Sequence, residues 1–422
     1  MNYLLFAVYF IIFCWLLVRI PAIKKSGISS KTILALFFIK ILAGIAIGWL
    51  SLHYYNTGND YWDINRESWK EYQLLVTNPK EYFTNIFSSG YAHGYTGFFD
   101  SFQSFWNDLK NNLVIKLVSV FNIFSRGNYY INSLFFNFII FFGHIALYRV
   151  FIKIYKGQVN AVIISCFLLP SMLYFSSGIH RDGIVFLMLA VLVFNIFESL
   201  QQQAFKLQRI ITIVFALGIL FLMRNFIFLA LLPATIAWLV AVKMKWQALP
   251  TFLIVYLLAG LLLFNLNNFF PSVDPLKTIV QKQADFLSLA PSSTAIELDT
   301  LHPGFISFLK NTPQAFNHLF MRPYLTELPS NILVPMNIEL FLYQLLIFIL
   351  LFFYKKGNGL SVDPFIYFAI FFTLNIFLFI GYIVPNLGAL VRYRSLYLPF
   401  LITPLICSIN WKKLKGLIKI KN

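Results

Sequence analysis

The chain has 422 residues, of which 59% are hydrophobic and 19% aromatic, with 12% charged, a net charge of +17 and a mean hydropathy of +0.74. So much apolar surface cannot be hidden in a soluble fold of this size, which excludes a soluble globular enzyme and indicates a polytopic membrane protein. In a soluble chain the positive charge would raise nucleic acid as a partner. Here the bases cluster beside apolar runs and read as topology signals, so no nucleic-acid partner is expected.

The apolar runs predict an all-α polytopic membrane protein with about 11 transmembrane helices, forming a single transmembrane domain over residues 1–422. The spans fall at about 2–18, 32–52, 129–148, 159–175, 183–198, 209–223, 226–242, 249–265, 336–354, 363–384 and 395–409. Several are nearer about 15 residues than the roughly 20 of a full crossing, so they must include polar flanks or border a thinned or wet region. Arg19, Lys24 and Lys25 follow the first run instead of preceding it. This reads as a retained span with its N-terminus outside, not as a cleavable leader. Basic clusters at 149–156, 206–209, 243–245, 355–356 and 412–421 then fall inside with the C-terminus, opposed only by Glu198 and Asp363. That bias is what the positive-inside rule asks for. It resolves 209–242 into two crossings with Arg224 at an outward hairpin tip, and it puts His180, Arg181 and Asp182 outside.

Two outward segments are long, 53–128 and 266–335. In the first, Leu113, Leu117, Val120, Phe121 and Phe124 recur at helical spacing and predict an amphipathic helix lying on the membrane face. The second is rich in Pro and polar residues, with helical pieces near 275–289 and 305–321. The basic tail after Trp411 reads as a stop-transfer anchor, with affinity for anionic membrane lipid as a lesser alternative.

Arg181, Arg224, Arg322, Arg392 and Arg394 gather at the outward tips, against the positive-inside trend. A guanidinium fork suits bidentate binding of phosphate oxygens, so several converging would make a site for a diphosphate or another polyanion. Each one alone reads more simply as a side chain snorkelling to headgroups, or paired with a local acid such as Asp182. Arg392 and Arg394 are two apart: in an extended loop they share a face, on a helix they diverge. Asp60 and Asp63, in GNDYWD soon after the second span, are candidates for a general base toward a sugar hydroxyl. Turn chemistry or a helix cap would explain them as well. Tyr54, Tyr55, Tyr61, Trp62 and Trp69 suit stacking on sugar rings or an interfacial aromatic belt equally.

His180, beside an Arg and an Asp in SSGIHRDG, is the histidine placed to act as an acid or base. His53, His93, His144, His302 and His318 have no metal-ligand spacing, and Cys14, Cys166 and Cys407 lie within apolar runs, so no metal and no cofactor are expected. Lys40, inside the second span, needs a partner or a cavity, or else snorkels to the interface. There is no P-loop and no dinucleotide fingerprint, and the inner loops are too short for a nucleotide-binding domain. A substrate already anchored in lipid fits better than a soluble nucleotide sugar.

PSMLYFSSGIHRDGIVFLMLA resembles the stretch of Wzy/EpsG-like polysaccharide polymerases in which a span ends in small and Ser residues before an Arg opens the next. GNDYWD resembles their early Gly/Asp/Tyr segment, and NLGALVRYRSLYLPFL resembles a late loop with an Arg pair. The layout as a whole looks like that of GT-C membrane glycosyltransferases. Asp182 stands where the family pattern has a neutral amide such as Gln. The resemblance implies glycan transfer between polyprenyl-diphosphate-linked repeats at the outer face of a bacterial cytoplasmic membrane, without a metal, and other polysaccharide-assembly proteins as partners. By position, it implies Arg181, Arg392 and Arg394 as diphosphate ligands and Asp60 near the acceptor. The alternative is a transporter or flippase for anionic lipid-linked sugars, although no paired repeats stand out.

Overall fold

The computed structural model describes residues 2–54, 59–87, 94–95, 97–98, 103–271, 274–289, 294–324, 326–327, 334–355 and 363–419. Tyr55, His93, Lys356 and Lys421 lie outside these. In chain order the α-helices are α1 (Asn2–Arg19), α2 (Pro21–Lys24), α3 (Ser30–Tyr54), α4 (Asp60–Thr77), α5 (Pro79–Thr84), α6 (Phe105–Ser125) and α7 (Tyr129–Ile154). There follow α8 (Val159–Phe167), α9 (Pro170–Phe175), α10 (Arg181–Gln201), α11 (Leu207–Met223), α12 (Asn225–Lys243) and α13 (Ala248–Phe269). The chain continues through α14 (Pro275–Leu287), α15 (Phe305–Phe320), α16 (Val334–Phe352), α17 (Pro364–Ile383), α18 (Leu387–Ser395), α19 (Leu398–Ser408) and α20 (Trp411–Lys419).

Among the described residues, eight helices are long and apolar enough to cross a membrane: α1, α3, α7, α10, α12, α13, α16 and α17. All eight coincide with predicted spans, and the protein is an all-α polytopic membrane protein. The three remaining predicted spans are shorter pieces. Residues 207–223 form α11, while 159–175 breaks into α8 and α9 at Pro170, which has no N–H to continue a helix. The last predicted span is the 11-residue α19, set off from α18 with Pro399 in its first turn.

The chain divides into two compact units, one of Met1–Val150, Leu173–Ile196 and Lys206–Asn225, the other of Phe151–Met172, Phe197–Phe205 and Phe226–Asn422. In the first, α1 packs on its neighbours through rings: Phe10 stacks on Phe37 of α3, and Phe13 on Phe138 of α7. Helices α4 and α6 lie side by side through a buried amide network. Asn132 Nδ2 donates to Asn65 Oδ1 at 2.8 Å and Asn122 Oδ1 at 2.7 Å, and Asn122 Nδ2 donates to Ser68 Oγ at 3.1 Å. The predicted helix is α6, and the face it packs against the protein is largely the one opposite the apolar stripe. It buries Val114, Val118, Ser119, Phe121, Asn122 and Ser125, and leaves Val120, Ile123 and Phe124 exposed. Polar side chains are cheap to bury when each finds a partner, and the bare apolar stripe suits hydrocarbon.

The second unit is built on α17, whose Phe365, Phe368, Phe372 and Ile376 are buried. Trp238 of α12 sits 5.2 Å and 4.9 Å, ring to ring, from Phe365 and Phe368. Helix α15 runs beside α17, joined by the Thr312 and Tyr382 hydroxyls at 2.6 Å. Gln283 of α14 donates to the carbonyls of Asp299 (3.1 Å) and Tyr382 (2.7 Å) and accepts from the Leu301 N–H (2.8 Å). The predicted helical pieces of the second long loop are thus α14 and α15.

Candidate functional site

The SSGIHRDG stretch forms the break between α9 and α10 in the first unit, with residues 176–180 outside either helix. A backbone break among spans needs partners for the groups a helix would have satisfied. Asn137 Nδ2 donates to the Ser177 carbonyl at 2.8 Å. Lys40 Nζ donates to Ser176 Oγ at 3.0 Å, Ser177 Oγ at 3.1 Å and the Ser176 carbonyl at 3.5 Å. The lysine inside the second span thus finds its partners in this turn. Gly178 lets the turn close on α3 and α4, since a Cβ there would stand 2.8 Å from Tyr61 Cδ1 and 2.9 Å from Ile47 Cδ1.

Four residues of the first unit that were singled out in the sequence, Asp60, His180, Asp182 and Arg224, meet at this break. His180 is buried, with Nδ1 3.2 Å from Asp182 Oδ2 and Nε2 3.8 Å from Asp60 Oδ2. Asp182, fully buried, gives its other carboxylate oxygen to the buried Arg224. The Asp182 N–H donates to Nδ1 at 3.4 Å, so the imidazole is fixed on this side by both the main chain and the carboxylate of Asp182. Asp60, half exposed, is the first residue of α4, but the capping bond is made by Asn59, whose Oδ1 accepts from Trp62 N–H at 3.4 Å. Asp63 points elsewhere and pairs with Arg66 at the surface. Arg181 opens α10, partly buried.

The proposed sugar-stacking rings are largely committed to packing. Trp62 stacks on Tyr129 at 4.4 Å and donates from Nε1 to the Gly48 carbonyl at 2.9 Å. Tyr61 is buried with its ring edge to His180, and Trp69 is half-buried against Tyr72. Tyr54 is exposed.

In the second unit, Arg392 and Arg394 lie on a helix, α18, and so diverge. Arg394 is buried, and its Nη1 donates to the carbonyls of Leu319 (3.0 Å) and Arg322 (2.6 Å), tying down the end of α15. Arg392 is half-buried. Arg322 pairs with Glu327 at 3.1 Å and lies over the Tyr324 ring. His318, buried at the end of α15, is pushed down to about 4 by burial first and by the Arg322 charge second.

Glu339 escaped the sequence reading. It is buried within α16, where it accepts from the Ser171 N–H at 2.9 Å and from the Tyr343 hydroxyl. The available signal was an acid inside an apolar run. Among the described residues no group of three or more His, Cys, Asp or Glu side chains is placed to hold a metal ion.

Fold and composition together define the class: a multi-pass, all-α membrane protein with a buried ionic cluster at a helix break. No family model, curated protein or solved structure matches the chain.

Proposed function

We propose that this protein is a glycosyltransferase of the polysaccharide-polymerase type, joining polyprenyl-diphosphate-linked oligosaccharides at the outer face of a bacterial cytoplasmic membrane. The observation that carries the reading is the approach of a half-exposed carboxylate, Asp60, to an imidazole nitrogen, His180 Nε2, at 3.8 Å. That gap is too long for a hydrogen bond between them, yet an acceptor hydroxyl can lie about 2.8 Å from both. Buried Asp182, held by Arg224, orients the imidazole from behind. A buried acid, an oriented histidine and an exposed acid form an arrangement suited to taking a proton from an alcohol.

In the proposed reaction the acceptor oxygen forms a bond to the anomeric carbon as the bond from that carbon to the phosphate oxygen breaks. The hydroxyl proton passes to Asp60 or His180, and the electron pair leaves on the polyprenyl diphosphate. Arg181, at the N-terminus of the 21-residue α10, is the guanidinium nearest in sequence to this chemistry, and a helix N-terminus favours an anion. In the second unit, Arg322, Arg392 and Arg394 are proposed as anion ligands on the sequence pattern alone, and Arg394 Nη1 already serves two carbonyls.

The test uses the purified full chain in proteoliposomes with a defined polyprenyl-diphosphate oligosaccharide. Products longer than one repeat, lost in Asp60→Asn and His180→Gln, support the proposal. Movement of the lipid between leaflets without a new glycosidic bond would replace it with transport.

A further inference from the structure

We propose that Lys40 is a positioning residue for the Asp60–His180 site, acting through the helix break it holds; this rests on the catalytic reading of that site. Lys40 is the eleventh residue of the 25-residue α3, about 15 Å along the axis from Ser30. It is 1% exposed, in the middle of a helix long enough to span hydrocarbon. An amine there is costly unless it is matched. Among the described residues no carboxylate lies within ion-pair distance of it; its three donors go instead to three oxygens on two consecutive residues, Ser176 and Ser177.

Those two residues are the start of the segment that carries His180. The Ser176 carbonyl and both hydroxyls are held from α3, the Ser177 carbonyl from α7 by Asn137. Gly44, one helical turn beyond Lys40, lets α3 come this near: a Cβ there would lie 2.6 Å from Asn137 Nδ2 and 3.3 Å from the Ser177 carbonyl. Three residues after Ser177 the chain reaches His180, which must face Asp60 across a gap that one hydroxyl fills. With the amine removed, the Ser176 carbonyl loses its side-chain donor at the depth of a span, and the turn shifts to find another. A shift of about 1 Å in a catalytic group is enough to cost on the order of 100-fold in rate.

The experiment compares Lys40→Met, Lys40→Arg and wild type, as full chains in nanodiscs. Two readouts are taken: the pH–rate profile with kcat and KM for oligosaccharide transfer, and the titration of His180 followed by NMR of ¹³C-labelled histidine, assigned with His180→Gln. Lys40→Met is expected to lower kcat by roughly 100-fold with KM nearly unchanged and to displace the His180 titration; Lys40→Arg is expected to restore part of both. A folded Lys40→Met with wild-type pH–rate profile and wild-type His180 titration overturns the proposal. Should Lys40→Met fail to fold, the Ser176→Ala/Ser177→Ala pair, which removes two of the three acceptors and keeps the amine, decides by the same criteria. If wild type transfers no sugar, the catalytic reading fails, while the His180 titration still reports whether Lys40 positions the turn.

Discussion

His180 and Asp182, two residues apart, face one another at 3.2 Å between Nδ1 and a carboxylate oxygen, and the second oxygen of that carboxylate is held by Arg224. One buried acid therefore serves two bases on different sides. Breaking a buried ion pair by removing one member leaves the other charge stranded, which costs about 3–5 kcal/mol. Arg224→Ala and Asp182→Ala are each expected to destabilise by that order, and the double variant by clearly less than the sum. Thermal unfolding in detergent of the two singles and the double checks this through the coupling term.

The two acids of GNDYWD should separate sharply. Asp60→Asn is expected to lower transfer by about 10²–10⁴-fold, the usual worth of a positioned acid or base. Asp63→Asn only breaks an exposed i,i+3 pair with Arg66 and should leave both rate and stability close to wild type. Product ladders from proteoliposomes measure the first, and unfolding midpoints the second. Equal losses in both variants would contradict the assignment.

The arginines of α18 are expected to differ in kind. Arg394 Nη1 satisfies two main-chain carbonyls in a buried place, and a hydrogen bond from a charged donor is worth about 1.5–3 kcal/mol. Arg394→Gln should therefore lower the unfolding midpoint strongly. Arg392→Gln, half-buried on the diverging face, should act on substrate affinity. Paired melting and substrate-binding measurements distinguish the two effects.

The histidine at the end of α15 gives a pH prediction. His318 is held down to about 4 in the folded protein, against an ordinary value near 6.5. Between those values the unfolded chain takes up a proton that the folded chain refuses, so stability is full above about 6.5 and is lost as the pH falls toward about 4. Wild type should melt at lower temperature at pH 5 than at pH 7. His318→Gln, which has no such proton to take up, should show a shallower dependence over the same window.

Much of the architecture was legible in the chain. The eight long spans and the α11–α12 break at Arg224 followed from apolar runs and flanking bases. The burial of polar residues of α6 did not follow. The apolar period of that helix was readable and Val120 and Phe124 are exposed, as a stripe toward lipid requires, but the burial of Ser119 and Asn122 depends on partners on other helices, Tyr82 for the one and Ser68 and Asn132 for the other. The place of Asp182 became intelligible only with its partners: Arg224 and His180 lie against its carboxylate. The late arginine pair depended on whether 387–395 was loop or helix, and the helix turned one guanidinium inward.

What this sequence determined by itself was the set of long apolar helices, because a chain in hydrocarbon must satisfy its backbone within each segment, and that is a local property readable from composition. Which charges meet was decided by the tertiary structure alone. Arg224 lies 42 residues from Asp182, and Lys40 lies 136 from Ser176. A buried ionic or polar group is stabilised by whichever partner helix packing brings within about 3 Å, and no spacing along the chain encodes that packing.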